Sequence, residues 1–193
     1  MYLEIIKTSD ITYSEYEKIY SHLNVGELQR IDRKKKAADK QCSLAAFFLL
    51  DKMLKKYYGI NRPDICRTQN GRPYFKDSNI YFSISHSGEY VAVATNESKI
   101  GIDIECVRKS RAVVKQRICT ENELKYIGDD DIKFLTVWTL KEAAVKMTGI
   151  GVKGLKGIEL DFLGDNISVN LAGAEVKTYR ERDLIISICK LNK

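Results

Sequence analysis

Three carboxylates and two lysines fall in two short runs of this sequence, Gly101-Ile102-Asp103-Ile104-Glu105 and Trp138-Thr139-Leu140-Lys141-Glu142-Ala143-Ala144-Val145-Lys146. The first run alternates as a strand does, so Ile102 and Ile104 face one way and Asp103 and Glu105 the other, about 7 Å apart. The second has the composition of a helix, in which residues four apart share a face. Trp138, Glu142 and Lys146 then form one stripe, with Val145 beside the lysine. Oxygen ligands suit hard divalent ions, and a nearby ammonium suits phosphate. If the stripe packs near the strand, Asp103, Glu105, Glu142 and Lys146 make a candidate Mg2+ and phosphate site.

Such a site needs a scaffold, and 193 residues with 44% hydrophobic content can build one, as one large domain or two small halves. No apolar stretch approaches the roughly 20 residues of a membrane span. The start Met1-Tyr2-Leu3-Glu4-Ile5-Ile6-Lys7 lacks the layout of a secretory signal. A cytoplasmic protein without a membrane partner is expected. Five cysteines, Cys42, Cys66, Cys106, Cys119 and Cys189, are odd in number and never spaced C-x-x-C, which argues against a disulfide framework and a zinc knot. With only His22 and His86 available, a catalytic metal should be a hard ion held by oxygens, Mg2+ first and Mn2+ as the alternative. The formal charge of +6 asks for an anionic partner: nucleic acid, a phosphorylated small molecule or an acidic protein. The excess begins in Arg30-Ile31-Asp32-Arg33-Lys34-Lys35-Lys36, followed by Lys40.

Hydrophobic spacing predicts a strand over 2–7, a helix over 14–23 and a longer helix over 38–58 that Gly59 stops. Residues 61–78 read as a loop in which Asn70-Gly71-Arg72-Pro73 turns and shows an arginine; by itself Arg72 reads first as an exposed turn residue. Three strands, 80–85, 90–95 and 99–105, follow with short connections that favour an antiparallel meander. Ser85-His86-Ser87-Gly88, at the first hairpin, could hold a phosphate through hydroxyls, imidazole and backbone N–H groups, or be an ordinary turn beside a satisfied histidine. Thr120-Glu121-Asn122-Glu123 is a capping box, and Asp129-Asp130-Asp131 reads as caps for a helix over 132–147 rather than as metal ligands. Gly151 to Gly157 reads as a flexible glycine- and lysine-rich loop without the P-loop pattern. Four strands, 158–163, 167–171, 175–179 and 184–189, complete the chain. Helices followed by antiparallel strands in each half suggest a duplicated α+β architecture.

In order and spacing, Gly71-Arg72-Pro73, Phe82-Ser83-Ile84-Ser85-His86-Ser87-Gly88, Gly101 to Glu105 and Trp138 to Lys146 together resemble the 4'-phosphopantetheinyl transferases, of the large pseudo-dimeric type that activates surfactin and other peptide synthetases. The likeness spans roughly residues 30–155. It implies an α+β pseudo-dimer of two similar halves, 1–98 and 99–193, each with a helix packed on an antiparallel sheet and the active site in the cleft between them. The implied reaction moves the 4'-phosphopantetheine arm of coenzyme A to a serine of an apo acyl or peptidyl carrier protein and releases 3',5'-adenosine bisphosphate. Mg2+ would sit on Asp103, Glu105 and Glu142. Lys146 would contact the diphosphate, and Glu142, directly or through water, would deprotonate the serine, with Glu105 or a metal-bound hydroxide as the alternatives. Lys141 reads also as a lysine that only orients its neighbour. Arg72, Pro73, Ser85 and His86 would bind coenzyme A near its 3'-phosphate. Where the family has an arginine, this chain has Cys42, so Lys36 or Lys40 is expected to replace that charge. Ile118 and Cys119 stand where the family tends to have paired phenylalanines that shape the carrier groove. A monomer is expected, since one chain holds both halves. The alternatives are a non-catalytic module that binds coenzyme A or a carrier protein, and nucleic-acid binding through 30–40, which would leave the carboxylates idle.

Overall fold

The computed structural model describes residues 1–110, 112–164 and 166–192. The chain opens with β1 (Tyr2–Lys7), α1 (Tyr13–Ser21), α2 (Val25–Asp32) and the long α3 (Ala37–Tyr58). A small hairpin, β2 (Ile65–Arg67) and β3 (Pro73–Phe75), precedes β4 (Tyr81–Ser87), β5 (Tyr90–Asn96) and β6 (Ile100–Cys106). Then come α4 (Ala112–Ile118), α5 (Glu121–Ile127), α6 (Asp131–Thr148), β7 (Leu160–Leu163), β8 (Asn166–Val169), β9 (Ala174–Glu181) and β10 (Leu184–Leu191).

The expected α+β class is what forms: two three-stranded antiparallel sheets, ordered β1-β5-β4 and β6-β10-β9, each backed by its own long helix. Helix α3 packs Leu50, Met53 and Leu54 against Phe82 and Val93 of the first sheet. Each such fully buried side chain contributes about 1.5–3 kcal/mol. Helix α6 covers the second sheet with Ala143, Ala144 and Met147 near Cys189. Between the sheets lie Ala92 and Ala94 of β5, Ile102 and Ile104 of β6, and Ile186 and Ile188 of β10. Gly59 and Gly149 end α3 and α6 with φ of 70° and 76°, the left-handed conformation glycine tolerates.

Three expectations change. Strand β6 does not extend a meander, because β5 already has β1 and β4 on its two edges. It pairs instead with β10, with Asp103 opposite Ser187. The stretch 61–78 holds the β2–β3 hairpin, which joins Cys66 to Tyr74. Residues Val152–Gly157 wind into a 3-10 helix with Leu155 buried, rather than a flexible loop.

A seam of hydroxyls joins the sheets. The Oγ atoms of Ser83, Ser85 and Ser87, alternate residues of β4, accept the backbone N–H groups of Ile102, Ile104 and Cys106 at 3.1, 3.3 and 3.0 Å. Side chains here replace the backbone ladder, since every buried N–H needs an acceptor. On the far side of β6, a Cβ at Gly101 would collide with the Ala143 carbonyl and the Met147 amide, so glycine alone lets the strand lie this close to α6.

Candidate active site

Gly101, Asp103 and Glu105 share the β6 face that meets α6, and the stripe Trp138, Glu142, Lys146 of α6 faces them. Asp103, 6% exposed, accepts from Lys146 Nζ at 2.7 Å and from Ser85 Oγ at 2.6 Å, both on Oδ1. Burial still outweighs both partners and raises its proton affinity above the ordinary carboxylate value. Glu105 is the opposite case. Burial disfavours its charge, but hydrogen bonds from Arg108, Ser87 and Trp138 more than offset this, and the carboxyl lies below its usual range. No hydrogen bond or ion pair reaches the Glu142 carboxylate among the described residues. Burial and the neighbouring Asp103 push it up, while Lys146 pulls the other way. Three carboxylates thus face two cations, and Glu142 has no cation of its own.

Lys141 turns away from this stripe. Fully buried, it donates to Glu123 Oε2 at 2.6 Å and to the Ile118 carbonyl at 2.9 Å. Glu123, equally buried, closes the capping box with the Thr120 N–H at 2.8 Å and also accepts the Leu160 N–H at 3.0 Å. Lys141 is a structural lysine, and Glu123 keeps the capping role expected of it. Asp130 caps α6 through the Ile132 and Lys133 N–H groups, the role read for the cluster, while Asp131 accepts the Ser110 N–H at 3.1 Å and pairs with Lys115 at 3.3 Å.

The stripe opens onto a cleft of about 380 Å³ between α6, β4, the β2–β3 hairpin and the ends of α2 and α3. Of the expected residues, Arg72, Pro73, His86, Glu142 and Lys146 line it. Ser85 and His86 lie on opposite faces of β4: the serine is buried against Asp103, and the imidazole looks into the cleft. Partial loss of water, with Lys34 and Lys146 nearby, pushes His86 below its ordinary value. Lys36 and Lys40 are not among the lining residues; Lys34 and Arg30 are, and Cys42 stands beside them. Asn24 caps α2 and starts it early enough to carry Arg30 to the cleft, a signal legible in Asn24, Leu28 and Ile31 but hidden under the charge run. Arg67 grips buried Glu27 through Nε and Nη2 at 2.7 and 2.5 Å on the same wall.

Arg72 is engaged before any ligand arrives. Its Nη1 donates to the Met147 carbonyl at 2.6 Å, near the C-terminus of α6, and Nη2 to that of Ile100 at 3.4 Å. Asn70 Nδ2 reaches the Gly149 carbonyl at 3.0 Å. The turn clasps the hairpin to α6. Arg72→Ala is therefore expected to cost about 1.5–3 kcal/mol of stability in the ligand-free protein, the range for hydrogen bonds to a charged group. Urea denaturation without ligand checks this, and an unchanged midpoint would show that the clasp carries no stability.

Asp103, Glu105 and Glu142 offer oxygen donors of the type a divalent ion takes, and burial first, with the neighbouring carboxylates after it, raises Asp103 and Glu142. The residues fit such an ion by type, charge and common face. Among the described residues, no three metal-binding side chains stand in a ready coordination cluster. Lys146 and Arg108 hold the oxygens an ion would need.

Comparison with known proteins matches residues 99–189 to the family model described as the 4'-phosphopantetheinyl transferase superfamily and residues 10–98 to that described as 4'-phosphopantetheinyl transferase, N-terminal. A Haemophilus influenzae protein provisionally named a 4'-phosphopantetheinyl transferase is 36% identical over 130 residues, 61% of this chain and 55% of its own length. The 4'-phosphopantetheinyl transferase ffp of Bacillus subtilis is 26% identical over 169 residues, 83% of this chain and 72% of its own. The enzyme gsp of Aneurinibacillus migulanus is 28% identical over 151 residues, 75% and 63%. The chain thus spans between about half and three quarters of the length of these relatives.

Proposed function

The chain belongs to the 4'-phosphopantetheinyl transferase superfamily, and from that membership we propose that it transfers the 4'-phosphopantetheine arm of coenzyme A to a serine of an apo acyl or peptidyl carrier protein, releasing 3',5'-adenosine bisphosphate. The observation that carries this reading is the meeting of Glu142 and Lys146, from α6, with Arg72, His86, Lys34 and Arg30, from the first half of the chain, on one cleft. A base, a cation for the diphosphate and a basic far wall are what phosphoryl transfer from coenzyme A requires.

Asp103, Glu105 and Glu142 would hold Mg2+, or Mn2+ in its place. When bound, that ion supplies positive charge to the diphosphate oxygens. The serine Oγ attacks the β-phosphorus, and the bond from that phosphorus to the bridging oxygen breaks, leaving with 3',5'-adenosine bisphosphate. The serine proton goes to Glu142, directly or through a water, since its carboxylate has no hydrogen-bonding partner among the described residues and lines the cleft, with Glu105 as the alternative. Lys146, now 2.7 Å from Asp103, turns to the diphosphate and offsets charge on the leaving group. Arg30, Lys34 and His86 hold the 3'-phosphate end; Lys34 takes the part that Lys36 or Lys40 was expected to fill. Ser85 acts from behind, aiming Asp103. Residues 1–98 thus supply the 3'-phosphate side and 99–193 the metal side of a single monomer.

The test is direct. Purified protein with coenzyme A, Mg2+ and an apo carrier is expected to give a carrier heavier by one phosphopantetheine on intact mass, and the gain should vanish when the metal is chelated. Unchanged mass for acyl and peptidyl carriers alike, under conditions where coenzyme A binds, would leave a coenzyme A binding module as the reading.

A further inference from the structure

Glu105 is saturated. Its Oε2 accepts from Ser87 Oγ at 2.8 Å and Arg108 Nη1 at 2.5 Å; its Oε1 accepts from Arg108 Nη2 and Trp138 Nε1, both at 3.2 Å. A carboxylate oxygen has two lone pairs, so neither oxygen has one left for a metal ion until a donor leaves. The three donor residues differ in how easily they can go. Ser87 is buried in the seam and also accepts the Cys106 N–H at 3.0 Å. Trp138 is half-buried on α6 and packs in two core clusters. Arg108 sits in the segment after β6, on a long side chain 56% exposed, and reaches back only three residues. The fork is bidentate, which makes it specific, but its solvent exposure keeps it weak enough to exchange.

Resting on the metal assignment proposed above, we infer that Arg108 is the resident cation of Glu105: its guanidinium holds the carboxylate in place in the metal-free protein and is displaced into solvent when a divalent ion arrives. Lys146 stands on Asp103 in a similar way, but it is anchored on α6, only 29% exposed, and also donates to Ser85 Oγ at 3.0 Å. Arg108 is the arm that can leave without disturbing a core. Its exchange for a doubly charged ion, beside Lys146, balances the three carboxylates.

The sequence supplies its own probe, because Trp138 is the only tryptophan and its indole N–H touches the same carboxylate. The metal-free chain would be titrated with Mn2+ by calorimetry and with Mg2+ by Trp138 emission, as wild type, Arg108→Gln and Arg108→Lys. Removing the competitor is expected to tighten metal binding about two- to fivefold in Arg108→Gln, the range of an exposed ion pair, with Arg108→Lys in between. Melting of the metal-free protein should fall only slightly, by what one exposed ion pair contributes, and wild type and Arg108→Gln should melt alike once the metal is bound. Equal or weaker metal affinity in Arg108→Gln overturns the inference and leaves the transfer reading, tested by carrier mass, untouched. Failure of wild type and Arg108→Gln alike to bind either metal, with coenzyme A present, overturns it together with the metal assignment, while carrier mass still decides the transfer itself.

Discussion

Glu142→Gln is expected to lower turnover by about 10²–10⁴-fold, the loss typical of a missing acid–base group, while leaving coenzyme A affinity within a few-fold and the fold as stable as before or more so. The last part follows from the site's electrostatics. Glu142 is half-buried beside Asp103 and has no cation of its own, so the folded protein raises its pKa. A carboxyl raised on folding is easiest to accommodate when protonated, so its ionisation costs stability as pH rises from the ordinary glutamate value through the folded-state one. Glutamine keeps the shape without the charge and does not bear that cost. The gap in melting temperature between Glu142→Gln and wild type should therefore be smallest in acid and widen toward neutral pH. Turnover, coenzyme A calorimetry and melts from pH 4 to 8 measure all three. A variant that loses stability and turnover together would make Glu142 a structural residue, and one with full turnover would end its role as base. A catalytic group held at a cost to the fold is what the trade between stability and activity predicts.

The carboxylates were legible because strand and helix periods are local. Two residues along β6 and four along α6 are enough to place Asp103, Glu105, Glu142 and Lys146 on facing surfaces. Antiparallel strands, both long helices and the glycine that stops the first were legible for the same reason. What was hidden depends on contacts distant in sequence. Strand β6 looked like the next strand of a meander, but its partner β10 begins 84 residues after Ile100, at Leu184, and no spacing near β6 announces it. The lysine run showed charge without direction. The break between α2 and α3, at residues 33–36, turns Lys34 to the cleft and leaves Lys36 exposed at the start of α3. Ser85 and His86 looked like one motif, yet strand alternation sends them to opposite faces, one to Asp103 and one to the cleft. That was readable from period two once β4 was known to reach Ser87. Arg72 as a clasp on α6 is a tertiary fact that turn chemistry alone does not carry, whereas Arg108 on Glu105 is local, three residues back, but lies past the end of β6 where no period places a side chain.

Lys141→Met should cost about 3–5 kcal/mol, the penalty for stripping one partner from a buried ion pair. Lys141 and Glu123 are both 0% exposed and 2.6 Å apart. Methionine matches the lysine stem but offers no donor, so the Glu123 carboxylate keeps two backbone N–H groups, from Thr120 and Leu160, and loses its cation. The Ile118 carbonyl also loses its donor. Against a total of roughly 5–15 kcal/mol, this removes a large share of stability and lowers the melting temperature by roughly 10 °C. Urea denaturation checks the magnitude, and a loss below about 1 kcal/mol would mean that water reaches the pair. Lys141→Met/Glu123→Leu sharpens the test. Replacing both charges by apolar groups removes the unpaired carboxylate, so the double variant should recover part of the loss, though not all, because Glu123 also closes the α5 cap and holds the start of β7. Lys141 is the immediate neighbour of Glu142 yet faces away from the cleft, so Lys141→Met should retain its kcat well below its melting temperature. Loss of kcat at a temperature where the variant is fully folded would place Lys141 in the chemistry after all. Retention would separate the two lysines of the motif: Lys141 fixes the helix, and Lys146 is the one it presents to the cleft.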